Sequence, residues 1–189
     1  MIILGSSSQR RIELLKTFKI DFVAISPEID ESEINSTNPE DIVIELALKK
    51  ANAIKAKADD TIISADTLVC TSKKIFGKPK NSKEAFEMLK ELSGKWHKVF
   101  TGVCVKIKSE EILFYEMTKV KFRKLEDSEI EYYISTGEPL DKAGAYGIQG
   151  LGGVFVEKII GDYTNVVGLP LPKLWKILFD RGIVGKTCQ

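Results

Sequence analysis

The first sixteen residues, MIILGSSSQRRIELLK (1–16), contain a strand, a loop and a helix in quick succession. Ile2-Ile3-Leu4 is a short apolar run that reads as a buried strand, and Gly5 to Ser8 is a tight loop of small residues. Ile12, Leu15 and Phe18, with Leu14, form the apolar stripe of a short amphipathic helix. Strand–loop–helix is the unit from which α/β folds are assembled. The loop also carries chemistry, because exposed backbone N–H groups and the positive end of a helix favour an anion. Ser6, Ser7 and Ser8 add hydroxyl donors, and Arg10 and Arg11 add forked, permanently charged donors suited to phosphate oxygens. Only four of the 28 basic residues are arginines, so two adjacent ones in a first helical turn, where they oppose the macrodipole, hint at an anionic partner. The plainer alternative is a serine-capped helix with two solvated arginines. The spacing is not that of the P-loop, G-x-x-x-x-G-K-[ST].

Working outward, a second strand is expected over roughly 21–25, followed by a polar, acidic surface loop over 27–38. Asn38-Pro39 supplies an N-cap and a first-turn proline, and Val43, Ala47, Ala51, Ile54 and Ala58 mark a long helix. Thr61–Ala65 reads as a central strand ending in Asp66-Thr67, with Leu68–Thr71 able to continue it up to a turn at Ser72-Lys73-Lys74. Asn81-x-x-Glu84 has a capping-box pattern ahead of Ala85, Met88, Leu89 and Leu92, and Gly94 closes that helix. Val99–Ile107 and Ile112–Leu125 predict a hairpin about Ser109-Glu110-Glu111, and Ser128-x-x-Glu131 predicts a helix through Ile134. Val154–Ile160 and Tyr163–Val167 flank Gly161-Asp162 as a second predicted hairpin, and Leu174, Ile177 and Leu178 lie in a final helix. The alternation predicts an α/β fold with a mixed sheet, without internal repeat or linker.

Composition bounds what such a fold does. At 189 residues and 43% hydrophobic, the chain can bury a core as one domain or as two closely fused lobes. The 28 basic and 27 acidic residues leave a formal charge of +1, not the one-sided excess of a nucleic-acid coat or membrane-surface binder. No apolar run approaches the ~18 residues of a membrane span, and MIILG lacks the basic flank of a signal peptide. Cys70, Cys104 and Cys188 are odd in number and share no C-x-x-C spacing, which fits a reducing cytoplasm better than a disulfide framework or a structural zinc site. His97 is the single histidine, so Ser-His-Asp or Cys-His catalysis would have to route through it, and histidine-rich metal sites are excluded. Chemistry is expected to rest on carboxylates, lysines, arginines and a hard, oxygen-binding cation.

Several further stretches fit that inventory. Asp66, at the end of an apolar strand where ligand clefts of α/β sheets lie, can orient a water, accept its proton or hold Mg²⁺; it can equally cap a turn. Lys78, between Gly77 and Pro79, is a fixed charge suited to a phosphate or an ordinary surface turn. Asp30-Glu31 offers oxygens to a cation, and Lys49-Lys50 sits mid-helix among alanines. From 144 to 153 the run GAYGIQGLGG has five glycines in ten residues, with Gln149 offering the donor and acceptor that reading a base edge requires. It lacks G-x-G-x-x-G spacing, so a dinucleotide fold is not indicated. Anion clamp, carboxylate, spare cations and amide reader together make the parts of a nucleotide hydrolase.

The chain resembles the Maf-type nucleotide pyrophosphatases. The matching stretches are LGSSSQRRIELL (4–15), PEIDE (27–31), LALKKA (46–51), ISADTLV (63–69), GKP (77–79), LSGKWHKVFTGV (92–103), GEPLDKAGAYGIQGLGG (137–153) and GDYTNVVGLPL (161–171), in family order. Gln9 replaces a usual proline and Gly5 a common alanine, which alters loop stiffness without removing a charge. The resemblance implies a Maf/ITPase-like α/β fold: a twisted mixed central sheet with helices, one domain spanning 1–189, two lobes around a cleft. It implies cytoplasmic, divalent-metal-dependent (Mg²⁺ or Mn²⁺) hydrolysis of a nucleoside triphosphate to monophosphate and pyrophosphate. Asp66 matches the proton acceptor; Ser6, Arg10 and Arg11 match the phosphate-end motif; Glu31, Lys50 and Lys78 match conserved polar positions, with Glu31 and Asp66 as metal candidates. Arg10, Thr67 and Gln149 match positions tied to substrate choice, and the Asp-Thr pair with Gln149 resembles the dTTP/UTP branch, including modified pyrimidine nucleotides. A 7-methyl-GTP branch tends to carry Asp-Gln and a glutamate there, and a non-catalytic regulator of septum formation is the reading from another class. A nucleoside triphosphate is the expected partner, with no nucleic acid and no membrane, and a homodimer is compatible with the family.

Overall fold

In the computed structural model, residues 1–30, 34 and 36–185 are described. Seven strands are found among them: β1 (Ile2–Gly5), β2 (Val23–Ala24), β3 (Thr61–Cys70), β4 (Ile75–Phe76), β5 (Trp96–Ile107), β6 (Glu110–Phe122) and β7 (Val156–Ile160). The helices are α1 (Gln9–Lys16), α2 (Pro39–Asn52), α3 (Ser82–Leu92), α4 (Asp127–Ser135), α5 (Tyr163–Val167) and α6 (Leu171–Asp180), with 3-10 turns at Glu138–Asp141, Ala143–Ala145 and Leu151–Phe155. Hydrogen-bonded strand order is β2-β1-β3-β5-β6-β7, with β4 on β3. The sheet is mixed, β1 running parallel to β2 and β3 while β4 and β7 pair antiparallel with β3 and β6.

Two compact units emerge. The first comprises Met1–Asp66, Thr101–Glu116 and the chain from Gly168 onward; the second comprises Thr67–Phe100 and Met117–Val167. In the first unit, α2 is pressed onto the sheet by shape and by a hydrogen bond. Ala47, Ala51 and Ile54 pack against Ile3, Ile62 and Cys104. The buried Ser64 hydroxyl donates to the Ala47 carbonyl at 2.6 Å. Gly102 lies so close to α2 that a Cβ there would overlap the Val43 backbone, so the approach depends on the missing side chain. In the second unit an aromatic core gathers Phe76, Phe122, Tyr133, Tyr146 and Phe155 with the apolar face of α3. Asn81 caps α3 by accepting from the Glu84 N–H at 2.9 Å.

The predicted elements largely form, with four instructive differences. Helix α2 stops at Asn52, short of Ala58: Ile54 keeps its place in the core, but Ala58 is exposed and has little to bury. The 5–6 hairpin turns at Lys108-Ser109, Lys108 adopting φ 52°, so Glu110 and Glu111 belong to β6. Helix α4 starts two residues earlier than Ser128-x-x-Glu131 implies, because the Glu129 carboxylate reaches back to the Glu126 N–H at 3.0 Å. The segment Tyr163–Val167 is a short helix, not a strand. Asp162 Oδ1 accepts from both the N–H and the hydroxyl of Thr164 at 2.7 Å, which nucleates a helical turn, and β7 pairs with β6 instead.

Candidate active site

The first unit holds five of the predicted residues, Ser6, Arg10, Arg11, Lys50 and Asp66, on or directly after β1 and β3 and on helices α1 and α2. Strands β1 and β3 are paired with Gly5 opposite Ser64, so Ser6 and Asp66 lie one and two residues beyond a matched pair on strands about 4.8 Å apart. Side chains alternate along β3, which puts Asp66 on the same face as Ser64. That is the face α2 covers. Ser64 meets Ala47, and Lys50, one helical turn on from Ala47, meets Asp66: Lys50 Nζ stands 2.5 Å from Asp66 Oδ1. Both side chains are about one-seventh exposed, so the carboxylate is recessed yet reachable, and a cation is built against it.

The loop after β1 is organised around Ser6, a buried serine whose hydroxyl accepts from the Ser8 N–H at 3.2 Å and faces the Arg11 guanidinium at 3.5 Å. Arg11 also donates from Nε to the Gly168 carbonyl at 2.8 Å. One arginine of the pair therefore ties α1 to the short link between α5 and α6, and it helps build the loop as well as charging it. Ser8 at the N-cap makes no side-chain cap bond, and the first turn of α1 holds no acidic residue. The helix begins with its positive pole reinforced by Arg10 and Arg11, an arrangement disfavoured for an isolated helix and suited to an anion.

The second unit carries Thr67, directly after Asp66 on β3, together with Lys78 and Gln149. Lys78 is exposed, and its turn is pinned by the Gly77 carbonyl, which accepts from the Gly144 N–H at 3.1 Å. Gln149 is exposed on a turn closed by the Gly150 N–H to the Gly147 carbonyl at 3.2 Å. Glu31 lies outside the described residues. His97 is not at any of these places. It is buried in the second unit's aromatic core, its Nε2 2.8 Å from the Tyr146 hydroxyl, and burial pushes its pKa down to about 4. A neutral core imidazole removes the only route to a histidine-based mechanism.

Sequence reading missed the supports. Ser64 and Gly102 fix α2, and hence Lys50; Gly168 receives Arg11; Tyr133 and Glu138 hold the glycine-rich run. Glu138 accepts from the Tyr133 hydroxyl at 2.8 Å and from the N–H groups of Leu151 and Gly152 at 3.0 and 3.3 Å. The signal was present: an acid just ahead of a glycine run whose exposed N–H groups need acceptors.

Among the described residues no three His, Cys, Asp or Glu side chains cluster as a metal cage. Asp66, a single recessed carboxylate beside cationic groups, fits a cation that shares its ligands with phosphate oxygens, which is the usual manner of Mg²⁺. Cys70 and Cys104 are buried and take part in no disulfide. No helix among the described residues is long and apolar enough to cross a membrane.

Comparison with known proteins gives a consistent result. The family model for Maf-like protein matches residues 1–181. A Thermosipho melanesiensis protein named dTTP/UTP pyrophosphatase is 57% identical over 183 residues, covering 97% of this chain and 99% of its own. A Bacillus cytotoxicus protein of the same name is 48% identical, covering 95% and 96%. Among solved structures, a HAM1 protein from Coxiella burnetii is similar with a TM-score of 0.52 at 12% identity, covering 95% of this chain and 98% of that one, a likeness of fold alone.

Proposed function

This chain belongs to the Maf family, and from that premise we propose that it is a nucleoside triphosphate pyrophosphatase acting on dTTP and UTP, releasing the monophosphate and pyrophosphate. The observation that carries this reading is the recessed Asp66–Lys50 pair midway along β3, two residues past the Gly5–Ser64 pair where β1 gives way to the serine loop. Relatives of 48–57% identity bearing the name dTTP/UTP pyrophosphatase support the substrate.

The roles follow from charge and geometry. Arg10, Arg11 and the α1 N-terminus attract the polyphosphate, with the Ser6 hydroxyl as a local donor; Lys78 adds a further cation. Asp66 accepts the proton of the attacking water, whose oxygen bonds to the α-phosphorus as the α–β phosphoanhydride bond breaks and pyrophosphate departs. Lys50 holds the Asp66 carboxylate in one orientation from the α2 side. Asp66, with Glu31 as the other candidate ligand, would hold a divalent cation, which when bound would neutralise phosphate charge and make a water more acidic. Gln149 and Thr67 select the pyrimidine base, the amide pairing with an edge that presents both a donor and an acceptor.

A panel of UTP, dTTP, CTP, GTP and 7-methyl-GTP with Mg²⁺ or Mn²⁺, scored for pyrophosphate and orthophosphate, tests the proposal. Pyrophosphate from UTP and dTTP in preference to the others is the expected result. Orthophosphate alone means γ-cleavage and a different mechanism. A preference for 7-methyl-GTP overturns the base assignment, and nucleotide affinity without product overturns the enzyme.

A further inference from the structure

The Gly147–Gly150 turn that presents Gln149 is anchored on both sides by two residues that nothing in the reaction requires. Before the turn, the Gly147 N–H donates to the Tyr133 hydroxyl at 3.1 Å. After it, the Leu151 and Gly152 N–H groups donate to the Glu138 carboxylate. The anchors are themselves linked, because the Tyr133 hydroxyl donates to Glu138 Oε1 at 2.8 Å. One phenol and one carboxylate thus satisfy three backbone donors flanking a single exposed side chain.

The clamp is rigid and closely fitted. Tyr133 is fully buried on α4 and packs edge-on against Phe155 at 5.0 Å. Glu138 is tied at its own backbone, its carbonyl accepting from Lys142 Nζ at 2.6 Å and its N–H donating to Thr136 Oγ1 at 3.2 Å. A Cβ at Gly150 would overlap the Glu138 carboxylate, and one at Gly152 would stand 2.6 Å from the Tyr133 hydroxyl. These glycines are needed so that the backbone can sit directly on the clamp. Burial raises the Glu138 carboxyl, but the hydrogen bonds from Tyr133, Leu151 and Gly152, with Lys142 nearby, outweigh it and hold the group below the ordinary glutamate range.

We infer that Glu138 and Tyr133 are positioning residues for base selection, setting where Gln149 stands without touching the nucleotide. The inference rests on the reading of Gln149 as the base selector. An amide discriminates one base edge from another only if its donor and acceptor are held in place, and an exposed side chain on an unanchored glycine turn would sample many positions.

The test is a set of steady-state measurements on the full chain carrying Glu138→Gln, Tyr133→Phe, Gln149→Ala and the two double variants with Gln149→Ala, each with UTP, CTP and GTP. Glu138→Gln replaces one acceptor oxygen by a donor facing a backbone N–H, and Tyr133→Phe removes the hydroxyl while keeping the ring. Each is expected to lower the UTP-over-CTP ratio of kcat/KM by about tenfold, the effect of one well-placed hydrogen bond. The change should appear mainly in the KM for UTP. In the Gln149→Ala background neither should lower that ratio further, because both act through the same side chain. Loss of fold alone would lower kcat for every substrate equally and leave the ratios intact; that outcome in both single variants overturns the inference, as does full additivity with Gln149→Ala. If Gln149→Ala itself leaves the ratio unchanged, the reading of Gln149 falls and this inference with it. A changed ratio for Gln149→Ala beside unchanged ratios for both clamp variants overturns the clamp alone.

Discussion

The two units of this chain hold their functional groups by different means. In the first, Asp66, Lys50 and the Ser6 loop stand on regular elements: two parallel strands in register and a helix pressed onto them through Gly102 and Ser64. In the second, Gln149 stands on a turn whose shape comes from a half-buried carboxylate and a phenol and not from strand or helix periodicity. Groups that must meet a reacting phosphorus need placement to a fraction of an ångström, which regular elements supply. A group that chooses among bases needs a position that can be re-set by changing a few loop residues, without disturbing the strand ends. On the roles proposed for Asp66 and Gln149, the difference separates the chemistry from the choice of substrate.

The largest way to break that comparison is Asp66→Asn. Removing a general base typically costs about 10²–10⁴-fold, so kcat for UTP is expected to fall at least about a hundredfold while triphosphate affinity is retained. Single-turnover kinetics beside equilibrium binding would measure both quantities. Near-normal turnover in the variant would remove Asp66 from the role, and the first unit would lose its claim to the chemistry.

Next is a stability effect confined to the second unit's core. The His97 pKa is depressed to about 4 by burial, against an ordinary value of 6.5. Between those values the unfolded chain binds a proton that the folded chain refuses, so stability falls as pH drops from 6.5 towards 4. The loss reaches about 3 kcal/mol at the acid end and is absent above pH 7. Urea titrations at pH 7.5 and 4.5 should show it, and His97→Gln, which does not titrate, should flatten most of that difference. Equal acid sensitivity in both proteins would mean that the imidazole is solvated in solution.

A smaller effect is expected at Arg11, where charge and architecture coincide. Its Nε–H bond to the Gly168 carbonyl and its approach to Ser6 use the fork of a guanidinium, which lysine lacks. Arg11→Lys should lower unfolding stability by about 1–2 kcal/mol, in line with a charged hydrogen bond, and raise the KM for the triphosphate together with it. Thermal unfolding with and without nucleotide separates the two contributions. A raised KM with unchanged stability would make Arg11 purely a phosphate ligand.

What was legible in the sequence follows the same division. The first unit could be read locally: a strand, a loop of serines, an arginine pair and an acid in an apolar strand are periodic or compositional signals within short windows, although Asp66 stands midway along β3 and not at its tip, because the buried Leu68, Val69 and Cys70 carry the strand on. The pairing of Lys50 with Asp66 was not legible, since it depends on Ser64 and Gly102 bringing α2 against β3 and β5 from far along the chain. In the second unit the glycine run announced tight geometry but not its cause, because Tyr133 and Glu138 act through hydrogen bonds that leave no periodicity. Tyr163–Val167 misled for a related reason: the alternation was weak, and one Asx-type cap at Asp162 decided the helix.

The last test sharpens the comparison where the expected effect is smallest. Gln149→Glu keeps the length of the side chain and replaces an amide by a group that only accepts hydrogen bonds. A uracil or thymine edge presents both donors and acceptors, so one of the two contacts becomes a confrontation of lone pairs. The site then fits a base edge rich in donors better. The expected outcome is about a tenfold fall in kcat/KM for UTP and dTTP, with kcat for whichever substrate remains nearly unchanged, since the phosphate end is untouched. Substrate ranking across the triphosphate panel measures it. An equal fall for all bases would place Gln149 among the groups that support turnover, and the separation of choice from chemistry between the two units would not hold.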